Sequence, residues 1–167
     1  MNKILKVILP IILIWGLLIT GCTPSQGTKV GSLAPNFQLD SLEGQTVSLS
    51  DLRGKPVLIN FWAVRCPDCR MEMPYLQQVY EEWSGKGLVL LAINNGESPS
   101  RIGEFMQSQG FSFPVLLDTR GNVAQMYNIR GIPITFFIDK DGIIQDVKPG
   151  AFSSVEEIEK SLSKIMP

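Results

Sequence analysis

The chain is predicted to form an α/β domain in which a central mixed sheet is flanked by helices and preceded by a β-hairpin. Three observations carry that expectation. The runs Val57-Leu58-Ile59-Asn60-Phe61-Trp62 and Leu88-Val89-Leu90-Leu91-Ala92-Ile93 are apolar without alternation, as in strands buried on both faces. Between them Met73, Leu76, Val79, Tyr80 and Trp83 recur at helical spacing. Near the C-terminus two further apolar runs flank Asp139-Lys140-Asp141-Gly142, a hairpin turn. Strands and helices that alternate and then finish in a hairpin imply a sheet with an antiparallel edge.

Element by element, Phe37-Gln38-Leu39 and Val47-Ser48-Leu49 alternate apolar and polar residues around Glu43-Gly44, a short hairpin. Asp51-Leu52-Arg53-Gly54-Lys55-Pro56 turns the chain into the first central strand. A helix is expected from Pro67 to Trp83, closed by Gly85 and Gly87 and kinked at Pro74. Ser98-Pro99 opens a second helix as cap and first residue, and Gly110 ends it. Pro114–Leu117 is a short strand, and Val123–Tyr127 a short helix capped by Asn122. Ile134–Ile138 and Ile143–Val147 form the C-terminal hairpin. The last helix opens at Ser153 with Glu156 three positions on, a capping box, and buries Val155, Ile158, Leu162 and Ile165.

The N-terminus is a separate segment. Lys3 and Lys6 precede an apolar run from Val7 to Ile19, broken by Pro10 and Gly16. A bilayer span takes about 20 apolar residues, so the run fits a signal-peptide core better than a span. An uncleaved membrane anchor is the alternative. Ile19-Thr20-Gly21-Cys22 resembles a bacterial lipobox, which makes residues 1–21 a lipoprotein signal peptide, Cys22 the lipidated residue and 22–30 a polar tether. The domain proper is then 31–167. The expected location is the cell membrane, lipid-anchored on the extracytoplasmic side, where disulfides persist. Cleavage before Cys22 removes Lys3 and Lys6 and takes the net charge from −1 to −3. No basic stripe is present, so nucleic acid is not an expected partner.

The chemistry concentrates in Cys66-Pro67-Asp68-Cys69. A strand that delivers a cysteine to the first turn of a helix gives it unpaired N–H groups and the positive end of the dipole. Both favour the thiolate, the nucleophile in disulfide exchange. The same spacing is also half of a structural zinc site. Such sites take four Cys or His ligands, and a chain with three cysteines and no histidine cannot complete one alone. No metal is expected, and the redox-active disulfide itself is the only cofactor the chemistry requires. The missing histidine also removes Ser-His and Cys-His catalytic pairs.

Several motifs in order resemble the thioredoxin superfamily, closest to its extracytoplasmic TlpA/ResA-like branch, which shares features with the redoxin (AhpC/TSA-like) group. They are Gly31-x-x-Ala34-Pro35-x-Phe37, Gly54-Lys55-Pro56-Val57, Asn60-Phe61-Trp62-Ala63, Cys66-x-x-Cys69-Arg70-x-Glu72-x-Pro74 and Gly131-Ile132-Pro133-Ile134-Thr135-Phe136. The resemblance implies a thioredoxin-like fold with a central strand–helix insert over 88–130. It implies a cis Ile132-Pro133 bond opposite the sulfurs, where backbone groups meet an incoming substrate chain. It makes Glu72 a proton-handling group beside Cys69, with a solvated helix charge as the alternative. Asn60 stands where cytoplasmic thioredoxins carry a buried Asp. Trp62 is expected to pack beside the disulfide, and Pro67 to border the substrate.

Two residues depart from the pattern. Arg65 precedes the first cysteine, where aromatics are common, and a cation there would favour the Cys66 thiolate. Asp68 between the cysteines opposes it, although it suits a helix first turn. The expected activity is disulfide reduction, with Cys66 attacking and Cys69 resolving, on envelope proteins such as apocytochrome c, with a membrane thiol protein as electron donor. The alternatives are a thiol-peroxidase-like antioxidant redoxin, which would normally set a Thr ahead of its cysteine where Ala63, Val64 and Arg65 stand, and a Cu(I) carrier using two thiolates.

Overall fold

The structure, a computed structural model, describes residues 26–166. The expected signal peptide, Cys22 and the first part of the expected tether lie outside the described residues. In chain order the elements are β1 (Gln38–Asp40), β2 (Thr46–Ser48), β3 (Val57–Trp62), α1 (Pro67–Trp83), β4 (Val89–Asn95), α2 (Pro99–Gln109), β5 (Val115–Asp118), α3 (Asn122–Met126), β6 (Ile134–Ile138), β7 (Ile144–Pro149) and α4 (Val155–Leu162). Strands β1 and β2 form their own antiparallel pair, and the central sheet runs β5-β4-β3-β6-β7. Its first three strands are parallel, β6 runs antiparallel to them, and β7 reverses again, so β6 is antiparallel to both of its neighbours. This is the mixed sheet with an antiparallel edge that the patterning predicts.

Every residue of β3 is buried because both faces of the strand are covered. Successive side chains point to opposite faces. Leu58 and Trp62 join Leu90 and Ala92 under α1, α2 and α4, packed on Cys69, Met73, Leu76, Ile102 and Ile158. Val57, Ile59 and Phe61 face the other way, onto Phe37, Leu49, Val123, Ala124 and Tyr127 from the hairpin side and α3. Two cores, one per face, are therefore what removed the alternation from the sequence.

Helix α1 has the expected bounds and continues through Pro74, which is exposed. Two caps fall elsewhere than expected. Asn122 is the first residue of α3, not its cap; Gly121 precedes it with φ +71°, and the Asp118 carboxylate accepts the Ala124 N–H instead at 2.8 Å. The C-terminal capping box is shifted by one. Ser154 caps α4 by accepting the Glu157 N–H, while the Glu157 carboxylate accepts the N–H of Ser153. Consecutive serines and consecutive glutamates make both registers available at the same spacing. The structure selects the later one, in which the helix starts at Val155.

Both edges of the sheet are partly covered. Leu42 of the β1–β2 loop donates to the Val115 carbonyl on β5. On the other edge Gly31 donates to Ile144, and the Ile144 N–H donates back to Ser32. Residues 26–30 of the expected tether are already on the body of the domain, with Gly27 donating to Leu33. Val57 pairs with Ile138, so the turn after β6 lies at the start of β3 and the cysteines lie beyond its other end. The chain thus enters the domain at the end of the sheet opposite the cysteines.

Candidate redox site

Strand β3 ends at Trp62, and a turn closed by the Cys66 N–H on the Ala63 carbonyl carries the chain to α1. Cys66 is the cap residue of that helix, in extended backbone at φ −92°, and Pro67 is its first residue. Proline suits this position because its missing N–H would be unpaired there in any case. The Cys69 N–H points back at Cys66 Sγ from 3.1 Å. Cys66 and Cys69 are joined in a disulfide with Cα atoms 5.3 Å apart. Cys69 is fully buried, whereas Cys66 is half-buried and Pro67 exposed. The sulfur open to attack is therefore the first, and on reduction it keeps an N–H donor and a helix N-terminus beside it.

The Ile132–Pro133 bond is cis. The Ile132 carbonyl oxygen lies 3.7 Å from Cys66 Sγ, and Pro133 is buried behind it. Gly150, just past β7, donates to the Pro133 carbonyl at 2.9 Å, which ties this loop to the edge hairpin. Trp62 is fully buried in the same core as Cys69, its ring 5.7 Å from that of Phe105 on α2.

Glu72 is fully buried. Its Oε1 accepts from Asn60 Nδ2 at 2.8 Å and its Oε2 from the Phe152 N–H at 2.9 Å. Burial pushes its pKa up to about 7, against the pull of those two donors and of the Lys148 charge, with the Glu157 charge adding to the rise. A carboxyl that titrates near neutrality, one helical turn after Cys69, can take or give a proton in the range where thiols exchange disulfides.

Arg65 is half-exposed, and its guanidinium is turned onto the Asn95 carbonyl at 3.0 Å and the Glu97 carboxylate at 3.7 Å. Asp68 occupies the first turn of α1 and is exposed. The charge of Arg65 is therefore shared with Glu97 rather than left solely to Cys66.

Glu97 is the residue that sequence reasoning missed. Its side chain is nearly buried, and its carboxylate accepts the N–H groups of Val64 (2.6 Å) and Arg65 (3.1 Å) and the Asn94 amide (3.0 Å). Arg101 pairs with it at 3.3 Å. Burial works to raise its pKa, but the Asn94 amide, the two backbone donors and the Arg65 charge outweigh it and hold the carboxyl below its usual range. It pins the segment leading into Cys66. The only local hint was its place just before the Ser98-Pro99 cap, which says nothing of a reach back across the sheet.

Comparison with known proteins agrees with this geometry. Residues 30–147 match the AhpC/TSA family. The chain is 38% identical over 145 residues to the thiol-disulfide oxidoreductase ResA of Geobacillus kaustophilus, covering 87% of this chain and 83% of that protein. Among solved structures, a thiol:disulfide interchange protein of the thioredoxin family from Chlorobium tepidum superposes with a TM-score of 0.72 at 29% identity, over 80% of this chain and 95% of the other. The pneumococcal exposed lipoprotein thioredoxin Etrx1 of Streptococcus pneumoniae superposes with a TM-score of 0.69 at 29% identity, over 77% and 98%. A buried partner cysteine, a half-buried cap cysteine and a cis-proline carbonyl facing it are what such an enzyme needs, and the chain belongs to the AhpC/TSA family as a thiol–disulfide oxidoreductase of thioredoxin-like fold carrying a Cys66–Cys69 disulfide.

Proposed function

We propose that the chain works outside the cytoplasm, held to a membrane by lipid on Cys22, and reduces disulfides in envelope proteins, apocytochrome c before haem attachment among them. The observation that carries the chemical part is the asymmetry of the two sulfurs: Cys66 half-buried at a helix cap with the Cys69 N–H aimed at it, Cys69 fully buried. The Cys66 thiolate attacks a substrate disulfide, forming a mixed disulfide and releasing one substrate thiolate. Cys69, deprotonated by Glu72, attacks Cys66 Sγ; the second substrate sulfur leaves as a thiol, and the Cys66–Cys69 disulfide closes. Two electrons have passed to the substrate, and a membrane dithiol protein returns them. Trp62, Arg65, Pro67, Ile132 and Pro133 border the path of the substrate chain, and no cofactor beyond the disulfide takes part.

The membrane part rests on the basic, apolar and lipobox-like run before Cys22 and on likeness to a protein described as an exposed lipoprotein. Among the described residues no helix is long and apolar enough to cross a membrane. The cytochrome part rests on the motif resemblance to the extracytoplasmic TlpA/ResA-like branch.

The deciding experiment is the reduction potential of the chain in a dithiothreitol redox series followed by Trp fluorescence. A value near or below about −270 mV fits a reductase; one near about −120 mV would make the pair an oxidant of its partners and remove the cytochrome assignment. Cys66→Ser is expected to lose all turnover, and Cys69→Ala to accumulate mixed disulfides with its substrates. Rapid peroxide consumption by the wild type would shift the reading to a peroxidase.

A further inference from the structure

Asn60, Glu72 and Thr135 form a fully buried triad that joins β3, α1 and β6. The Asn60 Nδ2 group uses both hydrogens, one to Glu72 Oε1 at 2.8 Å and one to Thr135 Oγ1 at 3.0 Å. Asn60 Oδ1 is buried with no partner. Thr135 lies two residues after the cis proline, and the Phe152 N–H holds the far oxygen of Glu72.

The donor and acceptor count of this triad has an uncommon symmetry. A carboxylate only accepts; a carboxylic acid also donates. A hydroxyl does both, and a carboxamide donates from one end and accepts at the other. With Nδ2 toward its neighbours, Asn60 donates to the carboxylate and to the hydroxyl oxygen. Turned by half a rotation, Oδ1 occupies the same place and accepts from a carboxylic acid and from the hydroxyl hydrogen. In the observed orientation Asn60 favours the carboxylate, and turned it accepts from the acid, so each protonation state of Glu72 has an Asn60 orientation that makes two hydrogen bonds and leaves one amide end unpaired. We propose that Asn60 is a positioning residue that lets Glu72 gain and lose its proton in place, the carboxamide rotating and the Thr135 hydroxyl reversing its hydrogen bond as it does so.

An Asp at position 60 would offer only an acceptor when ionised and would force the proton onto the Glu72 pair. A Leu would offer neither. The other charged groups around Glu72 are Lys148 on β7 and Glu157 on α4, while Cys69 on its own helix is held in the disulfide. Lys148 and Glu157 pair with each other at 3.1 Å, which moderates both. The catalytic relevance of the rotation rests on the reading that Glu72 serves Cys69, but the rotation itself is open to a test in the oxidised protein, where no turnover occurs.

The test is an NMR titration of the full-length oxidised chain in detergent micelles, from about pH 5 to about pH 9, a span that brackets the carboxyl transition. It follows the Asn60 side-chain amide and the Glu72 carboxyl carbon together. The expected result is one shared midpoint, with a change in the Asn60 amide nitrogen and proton shifts that disappears in Glu72→Gln. In Asn60→Asp the Glu72 midpoint is expected to rise by about one pH unit or more through like-charge repulsion. An Asn60 amide that stays unchanged while Glu72 titrates would overturn the proposal, as would a Glu72 that does not titrate in this span. The wild-type titration decides even where Asn60→Asp does not fold. A chain that passes it but has an oxidant's potential would lose the reductase reading while keeping this one.

Discussion

Two buried carboxylates are wired to the cysteine segment, and their surroundings drive them in opposite directions. Glu72 reaches it through its own helix and has two hydrogen-bond donors, the Asn60 amide and the Phe152 N–H. Glu97 reaches it through the backbone of Val64 and Arg65 and has three donors and two guanidinium partners. Burial opposes ionisation in both, and it wins only at Glu72. Burial alone therefore does not give a carboxyl its role. A shallower site, one extra donor and nearby guanidinium charges separate the carboxyl that stays charged and acts as a clamp from the more deeply buried one that titrates near neutrality.

The strongest way to break this comparison is to remove the proton from one side of it. Because its folded pKa is raised above the unfolded value, Glu72 binds more protons in the native state, so stability falls as pH rises from about 4.5 through about 7. The raised pKa corresponds to about 3 kcal/mol lost across that window. Glu72→Gln is expected to abolish that slope in urea denaturation across the window, and a slope unchanged by the substitution would place the titrating group elsewhere. Glu97→Ala should come next, at about 2 kcal/mol of destabilisation at pH 7, since it leaves the Val64 and Arg65 N–H groups without an acceptor. For Glu97 the sign reverses: its folded pKa is depressed, so its stabilisation is present above the unfolded carboxylate range and is lost as pH falls through the folded value. Acid unfolding of Glu97→Ala should accordingly be less pH-dependent than that of the wild type. Arg101→Ala, which removes a half-exposed partner, is expected to cost under about 1 kcal/mol. A larger cost would mean that the cations, rather than the donors, hold Glu97 ionised.

The fold was legible where patterning is long and two-sided. The non-alternating run 57–62 is a fully buried strand because α1 and α2 cover one face and the hairpin and α3 cover the other. Helix α1 was legible to the residue, since Cys66-Pro67 and the glycines past Trp83 punctuate both ends. Short elements were not. The first turn of α3 is held by the Asp118 carboxylate, which accepts the Ala124 N–H six residues on, past a turn at Gly121 that displaces Asn122 from the cap position. At the site, Cys66 and Cys69 stood out because their spacing is local, and Pro133 through the resemblance of Gly131-Ile132-Pro133-Ile134-Thr135-Phe136 to the family's motif. Glu72 was legible as a position but not as an environment: its donors Asn60 and Phe152 are 12 and 80 residues away. Glu97 was invisible for the same reason, 33 residues from the N–H it accepts at Val64.

The partial covering of both sheet edges has a colloidal consequence. Unpaired strand edges are templates on which identical chains add to one another. Here Leu42 occupies part of one edge and residues 31–32 part of the other, while Lys148 and Pro149 interrupt the open remainder of β7. A molecule built this way tolerates crowding with its own copies. Edges this short give encounters between copies little to nucleate a fibre.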